Sequence, residues 1–363
     1  MGRVLPGRGE RVLKKRKQDL ITPALLLDLD AMQHNLATMA EICRRLNVNL
    51  RPHYKNHAVL ALAQKQMQAG AIGITVARVR HAESLVASGV KSLLVANEIV
   101  DEPQLRQLLQ LSREADIIIA VDDKKVVKEM GRLSRNAKTP LSVVIDLNLG
   151  LNRCGVSVDE SLELARAAFR EGLRVRGLMG YEGHLQRLPN SEESQERRLC
   201  ATKMLARSRL LFEQNNIPVE IVTTAGTGTF PVAAQVHGIT EVQPGTYLVM
   251  ETLYAPYAPD FQLALTVLTT VISRQAGHSV LDAGVKALSA ERGLPSVKGV
   301  PGLDLTALHA EHGIAQFTQT RPPVNVGDRI EIWVAYSDAT IHLHRQMYGM
   351  RNGFVEEAFE IEY

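Results

Sequence analysis

The chain has 363 residues, 45% of them hydrophobic, 22% charged and 4% aromatic, with a formal net charge of +3. That length can bury more than one core, and the apolar share is that of an ordinary soluble protein. No apolar run reaches the length of a membrane span, and the near-neutral balance leaves no reason to expect a nucleic-acid or membrane partner.

Residues 1–20 carry much of the basic excess, with seven Lys or Arg and one Glu before Asp19. The stretch has no aromatic residue and no apolar h-region, so it reads as a flexible basic tail rather than a nucleic-acid arm or targeting peptide. Segment 21–28 (Ile21-Thr22-Pro23-Ala24 onward) either opens the next domain or joins a β domain formed later in the chain. An amphipathic segment, 29–46, follows. Eight short β-rich runs then alternate with helical segments: 48–54, 72–77, 92–97, 117–122, 141–147, 175–182, 219–224 and 240–248. Most are continuous apolar stretches, as parallel strands buried on both faces require. Helix-length segments such as 82–88, 102–113, 124–133, 160–171 and 193–215 lie between them. The fold class is α/β, a (β/α)8 TIM-type barrel over 21–258.

After residue 258 the pattern changes. Runs 262–274, 278–283, 329–335, 340–345 and 355–363, separated by turn signals, read as antiparallel strands of a C-terminal β domain over 259–363. Three scattered cysteines (Cys43, Cys154 and Cys200) fit neither a disulfide framework nor a zinc cluster. A reducing, cytoplasmic setting is the expectation.

Catalytic residues of such barrels sit at the C-terminal ends of strands. Lys55 ends the first run inside Arg51-Pro52-His53-Tyr54-Lys55-Asn56-His57. A lone lysine there is usually a solvated charge, but two histidines and a tyrosine crowd this one. After run seven comes Thr223-Thr224-Ala225-Gly226-Thr227-Gly228-Thr229, and run eight supplies Gln243-Pro244-Gly245-Thr246-Tyr247. Either turn alone is weak evidence. Together, in loops where barrels hold phosphate, they make an anion cup from Thr224, Gly226, Thr227, Gly245, Thr246 and Tyr247. After run five, Arg153 is a cofactor or carboxylate ligand, or else a surface arginine on a glycine turn. After run six, Tyr181 is placed to pack on a ring and His184 to move a proton, unless it is a satisfied loop histidine.

These residues resemble the D-threonine aldolase and D-serine dehydratase family of fold-type III pyridoxal phosphate enzymes, which have an alanine-racemase-like barrel. The resemblance spans nearly the whole chain from Thr22. It includes Thr22-Pro23-Ala24 with Asp28, the Lys55 stretch, Asn97-Glu98, Asn152-Arg153-Cys154-Gly155, Tyr181-Glu182-Gly183-His184, both glycine loops, Asp282-Ala283-Gly284-Val285-Lys286-Ala287 and Glu311-His312-Gly313. It implies pyridoxal 5'-phosphate as cofactor and Lys55 as the Schiff-base lysine that also moves the α-proton. It also implies a homodimer in which the β domain of one protomer closes the site of the other. Family members that cleave or dehydrate 3-hydroxy amino acids bind a divalent metal through a His-x-Cys or His-x-Asp pair. Here Asp338 is kept, the histidine is Tyr336 and the later asparagine is His342. A tyrosine is a poor ligand, so Mg²⁺ or Mn²⁺ on Asp338 and no metal at all both stay open. His342 and His344 would alternate on one strand face.

The resemblance thus implies a lyase of aldolase type acting on a D-3-hydroxy amino acid. A racemase or epimerase, a dehydratase, and a cofactor carrier without turnover are the alternatives. Dehydration leans more on a metal and suffers more from the altered pair.

Overall fold

The computed structural model describes residues 15–318 and 324–362. The chain forms two compact units, one of residues 33–263 with Glu362, the other of the residues up to 32 with 264–361. Residues 1–14 of the basic tail lie outside the described residues.

The larger unit is built on eight parallel strands: Asn49–Leu50, Ile74–Val76, Ser92–Val95, Asp116–Val121, Ser142–Leu147, Arg174–Gly180, Ile221–Thr224 and Glu241–Val242. Neighbours pair in sequence order, and the first strand pairs with the eighth. A parallel bridge from His53 to Thr75 joins the first to the second and closes the barrel. Ile117 to Val121 and Val143 to Ile145 are almost fully buried, because parallel strands face the barrel interior on one side and helices on the other. Several of the helices begin with polar caps. Asp123 accepts from the Lys125 and Val126 N–H groups at 2.7 and 3.0 Å, and Ser157 with Glu160 forms a capping box. Inside the barrel, Arg51 makes a two-point ion pair with Glu241 at 2.9 and 3.1 Å and donates to Ser92 Oγ at 2.9 Å. All the C-terminal strand ends, and therefore the loops after them, gather at one mouth.

The smaller unit is a nine-stranded sheet. Ala24–Asp28 lies inside it, antiparallel to Leu265–Arg274 and parallel to Gln346–Arg351. This parallel pair departs from the antiparallel expectation for the β domain. Thr22 and Asp282, separate landmarks in the sequence, are partners: Thr22 Oγ1 donates to Asp282 Oδ2 at 2.5 Å. Lys286 and Glu311 pair at 2.7 Å.

Two expectations need correction here. Residues 15–20 are not a free tail: Arg16 bridges Phe354, and Lys17 donates to the Gly353 carbonyl and to Glu331. Residues 340–345 are not a strand. Ser337–Ile341 is a short helix with His342 at its end, and the Thr340 hydroxyl accepts from the buried Ser289 N–H at 3.1 Å. That tertiary bond outweighs the alternating Ile-His-Leu-His pattern. Among the described residues no helix is long and apolar enough to cross a membrane.

Candidate active site

Lys55 lies in a single 3-10 turn, Tyr54–Asn56, that leaves the first barrel strand. His53 caps it by accepting the Lys55 N–H on Nδ1 at 3.4 Å. The Lys55 side chain is exposed, while Tyr54, Asn56 and His57 beneath it are buried. Burial, then the nearby charges of Lys55 and Arg153, hold the His53 imidazole well below its usual range. His53 therefore stays neutral and stands near both cations, the lysine after strand one and the arginine after strand five. The sequence named His53 as part of a motif without giving it a place in the site.

A buried relay supports the turn from below. His57 Nδ1 accepts the Val59 N–H at 3.1 Å, and His57 Nε2 lies 3.2 Å from Gln66 Oε1. Gln66 Nε2 then donates to the Tyr247 hydroxyl at 3.0 Å. The Tyr247 phenol is fully buried in this relay, and burial pushes its ionisation upward.

The two glycine loops form one structure. The Tyr247 N–H donates to Thr227 Oγ1 at 3.0 Å, which ties the loop after strand eight to the loop after strand seven. Glu182, fully buried behind them, accepts from Thr229 Oγ1 at 2.5 Å and Thr224 Oγ1 at 2.9 Å. Burial pushes its carboxyl upward, and the two hydroxyls pull it back. Gln186 donates to Thr229 Oγ1 at 2.6 Å and accepts the Gly228 N–H at 3.0 Å. A Cβ at Gly228 would stand 1.9 Å from the Gln186 carbonyl oxygen, so glycine is required there. Among the described residues no acceptor meets the N–H groups of Thr227, Gly245 or Thr246. Buried N–H groups seldom go without a partner. An anion seated on these loops would supply one.

On the opposite side of the mouth, the Arg153 guanidinium lies 5.5 Å from the Tyr181 ring centroid. Below Arg153 is a cluster that sequence reading missed. Glu98, Asp122 and Cys154, from three successive strand ends, bring a donor atom each within 4.8 Å of one another. Asp146 is buried and hydrogen-bonds Glu98; burial, then Glu98, push its carboxyl up to about 8. Two carboxylates can share a hydrogen bond only by keeping one proton, so this is a shared-proton cluster under the arginine. His184 is exposed on the rim, beside Gly150, in a cavity of about 480 Å³ with Leu149, Leu185 and Arg197. Burial, then Arg197, lower its titration.

The stretch around Asp338 does not gather a metal's donors. The Tyr336 ring lies 5.0 Å from the Arg292 guanidinium, a cation. His342 Nδ1 is 2.8 Å from the carbonyl oxygen of Asp338, and His344 Nε2 is 2.8 Å from that of Ala287. Because 337–341 is helical, the two histidines do not alternate on a strand face. Among the described residues no set of three His, Cys, Asp or Glu donors converges on Asp338. A tyrosine in place of the histidine leaves zinc without its nitrogen donor, while a harder dication on one carboxylate would have to take its other ligands from water and substrate.

Two family descriptions match the chain: alanine racemase, N-terminal domain, over residues 27–252, and a putative serine dehydratase domain over residues 264–350. A D-threonine aldolase of Arthrobacter sp. is 34% identical over 94% of this chain and 92% of its own length. A 3-hydroxy-D-aspartate aldolase of Paracoccus denitrificans is 27% identical over 98% and 94%. The crystal structure of D-threonine aldolase from Filomicrobium marinum superposes with a TM-score of 0.93 at 33% identity, covering 98% of each chain. With both of its units matched and the Lys55 turn and glycine loops at one barrel mouth, the chain belongs to the D-threonine aldolase and D-serine dehydratase family, whose barrel is that of alanine racemase.

Proposed function

We propose that the barrel mouth is the active site of a pyridoxal 5'-phosphate-dependent carbon–carbon lyase, of aldolase type, that cleaves a D-3-hydroxy amino acid to glycine and an aldehyde. The observation that carries this reading is the pair of tied loops with three N–H donors that meet no acceptor among the described residues, on the same mouth as an exposed lysine. A phosphate group fits those donors. The Thr227, Gly245 and Thr246 N–H groups would hold it, and Gly226, whose own N–H donates to Thr229 Oγ1, would let the backbone come close. Thr224 and Tyr247 shape the cup from behind, since their hydroxyls bond Glu182 and Gln66. Tyr181 and Arg153 would flank the ring and its phenolic oxygen. The names of the Arthrobacter and Paracoccus relatives support the reaction class and the D configuration.

When bound, the cofactor supplies an electron sink for the carbon whose bond breaks. The other roles belong to the chain. Lys55 holds the cofactor and yields it to the substrate amine. His184, whose titration is lowered by partial desolvation and by Arg197, takes the proton of the substrate hydroxyl as the Cα–Cβ bond opens. Lys55 then returns a proton to Cα, which completes glycine. Arg153 binds a carboxylate or the ring oxygen with a planar fork of donors. None of these roles is assigned to a metal, since among the described residues no set of three His, Cys, Asp or Glu donors converges on Asp338. Dehydration, the reaction named for a Delftia relative 32% identical over 81% of this chain, is the second reading. A homodimer belongs to the same proposal, and light scattering tests it.

The deciding experiment is an absorbance spectrum with added pyridoxal phosphate, followed by incubation with D-threonine after chelator treatment. A band in the protein-bound cofactor region, lost in Lys55→Ala, together with glycine and acetaldehyde, is expected. A keto acid would make the protein a dehydratase, and the appearance of the other enantiomer a racemase. No cofactor band would overturn the proposal.

A further inference from the structure

We infer that Glu362 is a positioning residue for Lys55, gripping from the far end of the sequence the turn that carries the lysine. The inference rests on the reading of Lys55 as the cofactor lysine. The Tyr54 hydroxyl donates to Glu362 Oε2 at 2.7 Å, a contact between residues 308 positions apart. The Glu362 N–H donates to the Ala58 carbonyl at 2.8 Å. One residue therefore holds both ends of the segment 54–58.

Each end needs holding. Tyr54 is fully buried and lies edge-on to His57 and His81, with ring centroids 5.3 and 5.2 Å away. Its buried phenolic O–H must find an acceptor, and a carboxylate is a strong one. Burial, then the bond to Glu362, keep the phenol protonated. Ala58 sits at a φ of 47°, the left-handed region that a residue with a Cβ adopts only when its surroundings impose it. It is held there by its own N–H, which donates to the Tyr54 carbonyl at 2.9 Å, and by Glu362 on its carbonyl. Lys55 lies between these two fixed points. Its backbone is set by Tyr54 and Ala58, and its N–H is capped by His53. A shift of the turn by a fraction of an ångström would move the amine that must reach the cofactor, and errors of that size are costly in catalysis.

Glu362 does not touch the reacting atoms, so its effect should appear in the behaviour of Lys55 rather than in bulk stability alone. The test compares Glu362→Ala, Glu362→Gln and Tyr54→Phe with the parent. In cofactor-free protein, hydrogen exchange at the Ala58 amide should quicken by about tenfold in Glu362→Ala and Tyr54→Phe. In loaded protein, the pH midpoint of the cofactor band should move by about half a unit or more. The kcat should fall about tenfold with KM changed by less than about twofold. Glu362→Gln, which keeps a carbonyl acceptor, should lie between parent and alanine variant. Tyr54→Phe removes one oxygen and keeps the ring, so it decides the matter even if Glu362→Ala does not fold. Unchanged exchange and an unchanged midpoint in Tyr54→Phe would overturn the inference. So would a lower melting temperature with neither of the other changes. If the parent shows no cofactor band, the proposed function fails, while the exchange measurement still reads the grip on the turn.

Discussion

Glu182 offers the sharpest test of how the phosphate loops are built. It is fully buried, and both carboxylate oxygens accept hydroxyl hydrogen bonds, from Thr229 at 2.5 Å and Thr224 at 2.9 Å. Thr229 Oγ1 in turn accepts the Gly226 N–H at 3.1 Å and a Gln186 N–H at 2.6 Å, so four groups depend on one carboxylate. Glu182→Ala removes two hydrogen bonds to a charged acceptor, each worth about 1.5–3 kcal/mol, and leaves two buried hydroxyls unsatisfied. The total is about 3–6 kcal/mol. A unit of this size loses roughly 2–4 °C per kcal/mol, so melting should fall by about 6–24 °C. Glu182→Gln keeps the volume and one carbonyl acceptor, and a threonine hydroxyl can turn to accept from its amide. It should lose about half as much. Thermal melts with and without pyridoxal phosphate, and a fluorescence titration of the cofactor, read both effects; affinity should drop about tenfold in the alanine variant as the 226–229 backbone loosens. An alanine variant that melts within about 2 °C of the parent and binds the cofactor unchanged would refute this reasoning.

Other substitutions test other parts of the site. In Gly228→Ala the new methyl would stand 1.9 Å from the Gln186 carbonyl oxygen, so the loop must shift. The cofactor should be lost on dialysis while circular dichroism stays near that of the parent. Burial, then the neighbouring Glu98, push the Asp146 carboxyl up to about 8 in the folded chain against an ordinary 3.8. The folded state thus keeps a proton that the unfolded state gives up. The stability this contributes is complete below the ordinary value and is lost as pH rises toward 8, at about 1.4 kcal/mol per pH unit. Melting curves of Asp146→Asn between pH 5 and 8 should lack this slope, and an identical slope in variant and parent would count against the shared proton. Arg51→Ala strands the Glu241 carboxylate inside the barrel, where both partners are at most 4% exposed. Urea unfolding should show a loss of about 3–5 kcal/mol, and the double replacement with apolar residues a smaller one.

Sequence reading and structure agree where a pattern is local. The barrel strands are legible because Ile117 to Val121 and Val143 to Ile145 are apolar on both faces, a consequence of parallel pairing under helices. The glycine loops are legible because Gly228 admits no side chain and because their order after strands seven and eight is a feature of the chain itself. What stayed hidden depends on meetings across the sequence. Glu182 looks like a charged loop residue until Thr224 and Thr229 are seen to bond it. Glu98 and Asp122 follow two strands and Asp146 lies on a third, and only the side-by-side pairing of those strands makes them a cluster. The misread strand at 340–345 shows the reverse case, an alternating pattern overruled because Thr340 serves a distant backbone N–H.

The strand Ala24–Asp28 has a consequence for the order in which the molecule is made. It lies between Leu265–Arg274 and Gln346–Arg351 in its sheet. A nascent chain would therefore expose this apolar strand, with Leu25, Leu26 and Leu27, before either neighbour exists. Synthesis at the usual rate of about 5–20 residues per second leaves it unpaired for many seconds, while the barrel residues emerge and can fold as a unit of their own. Its hydrogen-bonding edges are then open to any other chain in the same condition. The earliest strand is among the last to be satisfied, and yield from fast expression should depend on it more than on any residue of the active site.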